Sequence, residues 1–459
     1  MHTPALNPYL PLDTYIPDGE PHVFNDGTGD RLYVYGSHDA EGGDAFCLLD
    51  YEVWSAPVTD LADWRCHGTA YRAQQDPGHG TIGLHMYAPD VVQGNDGRFY
   101  LYYSLSGKEA FTAPIHVAVA DHPAGPYTYH GEVRNPDGTA FTRCLTFDPG
   151  LLNDDGTVYL YYGWSLGLPA ERLEAVSAAF GGLDSPGFAR QLREIQMSMF
   201  GKSEAELEAE AASATGGIMG ANVVRLDDDM LTVIEGPTRI VPGQLDAAGT
   251  QWEGHAFFEA SSMRKIGDTY YFIYSSQVSH ELCYATSAHP DRDFNYGGVI
   301  ISNGDIGYAG RTEAQRLAMT GNNHGSIVEV GDQWYVFYHR QTHKTTYSRQ
   351  GCAEKIEILP DGSIPQVEMT SCGSTPARFR LRAPIRPRSH AISPTAPCRT
   401  SVLSLWKSPS RTSPTRPRRR EPSGSLPRLA TAPRLPTSTS RLSTRSASPC
   451  ACEGRPRAH

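Results

Sequence analysis

Residues 149–163 read PGLLNDDGTVYLYYG: a short apolar run, then Asn153, Asp154, Asp155 and Gly156, then a second run rich in Val, Tyr and Leu. Asn, Asp and Gly tolerate the positive φ of a tight turn, and β-branched and aromatic side chains suit a pleated, half-buried surface, so this stretch predicts a β-hairpin. The same phrase recurs as PHVFNDGTGDRLYVYGS (21–37), PDVVQGNDGRFYLYYS (89–104), SSMRKIGDTYYFIYS (261–275) and GSIVEVGDQWYVFYH (325–339). A further strand-like run follows each hairpin, for example His116–Ala120 and Glu281–Ala285, giving three or four strands per unit. Five such units predict an all-β fold, a five-bladed β-propeller in which the first strand of every blade lines a common axis. Closing the ring protects edges that isolated sheets would expose.

The interval between the third and fourth hairpins is about twice as long as its neighbours and changes period. Ala170–Phe180 and Ser185–Ala212 are rich in Ala, Glu, Leu and Arg at helical spacing, so a helical insertion is predicted over about 169–213, with the acids from Glu204 to Glu210 on a solvated face. The propeller is assigned to residues 1–373. Beyond it the alphabet shifts: residues 374–459 hold 18 of the 40 Lys and Arg, two of the 51 acids and 14 of the 34 prolines, leaving 22 bases against 49 acids before them. Arg416-Pro-Arg-Arg-Arg420 could neutralise phosphates as a nucleic-acid arm. An out-of-frame reading of a GC-rich gene explains the Arg, Pro, Ser and Thr bias better, and a segment so poor in periodic apolar residues is expected to be disordered, with no nucleic-acid partner.

With 459 residues, 39% of them hydrophobic, the chain can build a large core. No apolar run approaches a membrane helix, and Met1–Tyr15 has no basic region leading into an apolar stretch, so neither a membrane nor an export signal is expected and the reading is cytoplasmic. Nine scattered cysteines without CxxC pairs read as buried, reduced thiols, which argues against a disulfide scaffold or a zinc centre.

Repetition alone would suit a binding propeller equally, so acids must decide whether this is an enzyme. Asp18 (Ile-Pro-Asp-Gly-Glu), Asp148 (Thr-Phe-Asp-Pro-Gly) and Glu259 (Phe-Phe-Glu-Ala-Ser) sit at equivalent places, at or just before the first strand of blades one, three and four. Each could merely cap a backbone N–H at a turn. Three in register are harder to dismiss that way, and glycoside hydrolysis is one chemistry that would use them, since it needs one carboxylic acid to protonate the leaving oxygen and one carboxylate on the opposite face of the sugar.

With Tyr-Ala-Pro-Asp (87–90), Phe-Asp-Pro-Gly-Leu-Leu-Asn-Asp-Asp-Gly (147–156), Gly-His-Ala-Phe-Phe-Glu-Ala-Ser (254–261) and Gly-Asn-Asn-His-Gly-Ser (321–326), the chain from about Asn7 to Cys372 resembles glycoside hydrolase family 43. The resemblance implies Asp18 as general base, Glu259 as general acid and Asp148 as the acid that positions Glu259 and keeps its pKa raised. It implies single displacement with inversion, removing terminal β-D-xylose or α-L-arabinofuranose from xylo- or arabino-oligosaccharides. No cofactor is required, though the family admits a structural calcium near His324, where a hydrogen-bonded core histidine is the plain alternative. Asp90, Tyr87, Phe258, His324 and Arg349 are the candidate sugar-binding residues, with Trp252 and Phe257 as further aromatic platforms. Asp90 and Arg349 could instead make structural ion pairs. An endo-acting arabinanase and an inactive carbohydrate-binding propeller are the alternative functions. Many relatives continue into a β-sandwich domain where this chain changes alphabet, and its oligomeric state is not readable.

Overall fold

The computed structural model describes residues 6–107, 113–213, 217–343 and 345–371; the tail from 374 and its expected disorder fall outside them. The five hairpins open five separate antiparallel sheets. Blade one is β1 (Glu20–Asn25), β2 (Asp30–Tyr35), β3 (Tyr51–Pro57) and β4 (Arg65–Tyr71). In blade two, β5 (Gly83–Met86) and β6 (Asp90–Gln93) run end to end along one edge of β7 (Phe99–Gly107), followed by β8 (Ile115–Ala120) and β9 (Thr128–Glu132). Blade three is β10 (Gly150–Asp154), β11 (Thr157–Trp164), β12 (Gly220–Leu226) and β13 (Val233–Pro242). Blade four is β14 (Phe257–Ile266), β15 (Thr269–Ser276), β16 (Glu281–Ser287) and β17 (Asn295–Ser302). Blade five has β18 (Ser326–Val330), β19 (Gln333–Gln341) and β20 (Arg349–Ile356).

Alternation along the strands sends one face of each blade against the next. Tyr33, Tyr35 and Val53 of blade one meet Val91, Leu101 and Tyr103 of blade two in one buried cluster, and Tyr161 and Val223 of blade three meet Met263 and Phe272 of blade four in another. Burying such side chains is worth roughly 1.5–3 kcal/mol each, so the inter-blade faces hold the ring.

Among the described residues blade five has no fourth strand of its own. The N-terminal segment supplies the pairing: Asn7 uses its side-chain amide as a backbone would, accepting from Ala353 N (2.8 Å) and donating to Ala353 O (3.0 Å), while Tyr9 N donates to Gly351 O. Asn7 N also donates to Ser371 O (3.2 Å), so both ends of the described chain meet on β20.

The expected insertion is present as α1 (Ala170–Ala178), α2 (Pro186–Phe200) and α3 (Glu204–Ser213), between β11 and β12. Ser185 caps α2 by accepting from Phe188 N, with Pro186 at the first turn and Gly201 (φ 62°) ending it. The solvated acidic face needs correcting at one position: Glu204, Glu206 and Glu208 are exposed, but Glu210 is buried against blade three. Among the described residues the five cysteines are free, and no helix is long and apolar enough to cross a membrane.

Candidate active site

The inner strands begin in a common register. Asp18 lies two residues before β1, Asp148 two before β10 and His324 two before β18, while Glu259 is the third residue of β14. A parallel bridge between Gly19 and Gly325 joins the first and last of these entrances. Gly150 is required for another approach: a Cβ there would stand 2.3 Å from Ser261 O, so only glycine lets the inner strands of blades three and four come close enough for Asp148 Oδ2 to accept from Ala260 N (3.1 Å). Register shifts on either side of Glu259, with Ala260 at φ 70°, mark a bulge that turns the Glu259 side chain out of the plain alternation of β14. Asp18 (φ 57°) and Asp148 (φ 47°) share the left-handed conformation. For non-glycine residues this costs about 1–2 kcal/mol each, strain that surrounding contacts must offset.

Asp18 is gripped on several sides. Its Oδ1 lies 2.8 Å from Arg349 Nη1 and 3.0 Å from His339 Nδ1, and its backbone N is 3.2 Å from that same ring nitrogen. Burial works to raise its pKa, but Arg349 and His339 outweigh it and hold the carboxyl well below the usual carboxylate range. Glu259 is the opposite case. Burial first, then the negative charge of Asp18, push it up to about 8, against the pull of Arg349 and a hydrogen bond with Asn322. Asp148 is also raised, by burial and then by Glu259 and Asp18. The Ala260 N–H that Asp148 accepts pulls the other way, favouring its charged form. His324, with Nδ1 3.6 Å from Asp148 Oδ2 and 4.0 Å from Asp18 Oδ1, is held neutral by burial, its pKa lowered to about 4.

The structure therefore brings Asp18, Asp148, Glu259, His324 and Arg349 together at one end of the axis. Arg349 is fully engaged with acids: its Nε and Nη2 bond Asp39 (2.8 and 3.0 Å), its Nη1 bonds Asp18, and Phe46 stacks on it with the guanidinium carbon 4.6 Å from the ring centre. It holds the base, which is the ion-pair alternative to the sugar contact. The same alternative holds for Asp90. It is the first residue of β6, is wholly buried, and accepts from His22 Nε2, Leu151 N and Val91 N at 2.6 Å each, so it ties three blades together. Tyr87 and Phe258 remain half-buried, packed on Phe147 and Trp164, and are available as walls. Trp252 and Phe257 are core residues of blade four, which removes them as platforms. Asp39, His339 and Asn322 were not foreseen; no local pattern distinguishes them.

Among the described residues, two sets bring three ligand atoms within 4.8 Å: Glu20, His22 and Asp90 on blades one and two, and His255, Glu281 and Cys283 on or just before blade four. His324 belongs to neither. It offers one neutral nitrogen, whereas calcium takes roughly six to eight mostly oxygen ligands, so any ion there would be held chiefly by water.

A carboxylate kept ionised by an arginine, facing a carboxyl kept protonated by burial at the mouth of a propeller, defines a glycosidase-type acid–base site. The comparisons agree: residues 18–175 and 209–364 match Glycosyl hydrolases family 43, and the chain belongs to that family. It is 46% identical to a xylosidase/arabinosidase of Thermoclostridium stercorarium, over 82% of this chain and 69% of that protein. A xylosidase/arabinosidase of Bacteroides ovatus is 30% identical, over 78% of this chain and 97% of that one. Among solved structures, a family 43 β-xylosidase/α-arabinofuranosidase from a compost microbial metagenome, in complex with xylotriose and in calcium-free form, aligns with a TM-score of 0.56 and 26% identity, covering 80% of this chain and 98% of that one.

Proposed function

We propose that the protein is an inverting, exo-acting glycoside hydrolase that removes terminal β-D-xylose or α-L-arabinofuranose from xylo- or arabino-oligosaccharides. The observation that carries this reading is two buried carboxyls in one site with opposite surroundings: Asp18 is paired with Arg349 and His339, while Glu259 has no cation bonded to it among the described residues and is pushed up by burial and by the charge of Asp18. Asp18 takes a proton from water as the water oxygen attacks the anomeric carbon. Glu259 gives its proton to the departing glycosidic oxygen as the C–O bond breaks, and the configuration inverts. Asp148 fixes the strand entrance next to Glu259, burial and the charge of Asp18 keep Glu259 raised, and Arg349 and His339 orient Asp18.

The pentose class rests on the names of the relatives and on the xylotriose bound by the structural neighbour. No step requires a cofactor, and a central calcium would take His324 as its one protein ligand. The free thiols support the expectation of a reducing, cytoplasmic setting. The test is parallel hydrolysis of aryl β-D-xyloside and aryl α-L-arabinofuranoside, with the first-formed product anomer followed by NMR. Inverted sugar from either substrate is expected; retained configuration, or turnover of neither, overturns the reading.

A further inference from the structure

The family match breaks between residues 175 and 209, which sets α2 and Lys202 apart from the part of the chain that matches. The helical segment as a whole leaves blade three at Trp164 and returns at Gly220, residues paired across β11 and β12, and Gly163 N, next to that exit, donates to Phe147 O beside Asp148. The insertion therefore springs from the end of the blade that carries the catalytic acids.

Its contacts concentrate on the loop leading into Asp148. Glu210 of α3 accepts from Cys144 N through Oε1 (2.5 Å) and from Lys202 Nζ through Oε2 (2.5 Å), and Lys202 Nζ donates to Thr142 O (2.6 Å). Leu145, 1% exposed, is buried among Phe200, Leu207, Ile218 and Met219, so the loop supplies a side chain to the insertion's own core. Cys144 (φ 56°), Leu145 (φ 57°) and Asp148 (φ 47°) all lie in the left-handed region. Three non-glycine residues in such a short loop do not hold that shape by propensity; outside contacts must hold it. Thr146 Oγ1 ties the other side of the loop to Ala113 O (2.6 Å).

We propose that the inserted helices are a positioning device for catalysis: Glu210 and Lys202 clamp the 142–148 loop and thereby fix the Asp148 carboxylate against Glu259. This rests on the roles proposed above for Asp148 and Glu259. A buried carboxylate aimed at one backbone N–H in a strained loop is a stronger constraint than the apolar contact alone, because a charge-assisted bond is short and directional. The same bond explains why Glu210 departs from the solvated pattern of its helix.

The test compares Glu210→Ala, Glu210→Gln and Lys202→Met, measuring kcat/KM against pH for two glycosides of good and poor leaving groups, with thermal melts alongside. A misplacement of about 1 Å near the chemistry costs roughly a hundredfold. Glu210→Ala is accordingly expected to lose about ten- to a hundredfold on the poor leaving group, to lose less on the good one, and to move the alkaline limb of the profile downward. Glu210→Gln, which keeps an acceptor for Cys144 N, is expected to recover most of the rate. Should Glu210→Ala fail to fold, Lys202→Met carries the same comparison in milder form. Variants that melt earlier yet keep the native alkaline limb and leaving-group ratio would reduce the clamp to a structural brace and overturn the proposal. Asp148→Asn, measured in parallel, separates the two ideas: if it leaves rate and limb unchanged, the role of Asp148 falls, and the clamp with it.

Discussion

Replacing Glu259 with Gln keeps the shape and removes the proton. With a pKa of about 8, Glu259 is about 99% protonated at pH 6 and about 9% protonated at pH 9. The general acid works only in its protonated form, so native kcat/KM on a poor leaving group, such as an alkyl xyloside or xylobiose, is expected to fall about tenfold across that interval. In Glu259→Gln the same substrate should lose roughly 10² to 10⁴ in rate at pH 6, the usual worth of general acid assistance, and the alkaline limb should vanish because the titrating group is gone. A dinitrophenyl glycoside, whose phenolate departs without a proton, should lose little and show no such limb in either protein. The assay is initial-rate hydrolysis of both substrates over pH 5 to 10. Equal losses on the two substrates, or an alkaline limb that survives the substitution, would refute the assignment and transfer the donor role to Asp148.

Arg349→Met removes the cation that keeps Asp18 ionised, so the acid limb of kcat/KM is expected to move up toward the ordinary carboxylate range; an unmoved limb would detach Arg349 from the base. The same variant leaves the fully buried Asp39 unpaired, and a loss of about 3–5 kcal/mol should appear as a lower melting temperature. Glu20 is raised from 4.5 to about 8 by burial and then by Asp90, so its contribution to stability is full below about pH 4.5 and is lost as pH rises through 8. Melting temperatures of Glu20→Gln should therefore fall less steeply than native between pH 5 and 9, and an identical slope would show that Glu20 does not titrate there. Truncation after Gly373 is expected to leave soluble, active protein, because the composition of the tail offers no core; loss of solubility on truncation would contradict this.

Hairpins and helices were legible because their signals are local: a period of two interrupted by Asp-Gly turns, or a run of helix formers between two such units. Asp18, Asp148 and Glu259 were legible because register is also local, each standing at the entrance of a strand that a repeat had already located. The partners that set their chemistry were not. Arg349 meets Asp18 across 331 residues and Asp39 across 310, and nothing near any of the three announces the others. Asp90 stayed open between a sugar contact and an ion pair for the same reason, since Tyr-Ala-Pro-Asp does not disclose that His22 and Leu151 converge on that carboxylate. Aromatic content suggested platforms, but only packing could say that Trp252 and Phe257 face the core while Phe258, next in sequence, does not.

The joint made by Asn7 sets an order of assembly. Ala353, its partner, follows it by 346 residues, so on the ribosome Asn7 emerges long before its partner and waits for nearly the whole ring to be synthesised before its amide finds β20. Four blades can acquire their strands as the chain appears, each from contacts close in sequence, whereas the last joint pairs the most distant segments and carries the largest loop-closure cost. Until it forms, the open edge of β20 is a sticky surface on a nearly closed ring, and a nascent chain stalled there would be the species most exposed to pairing with a neighbour.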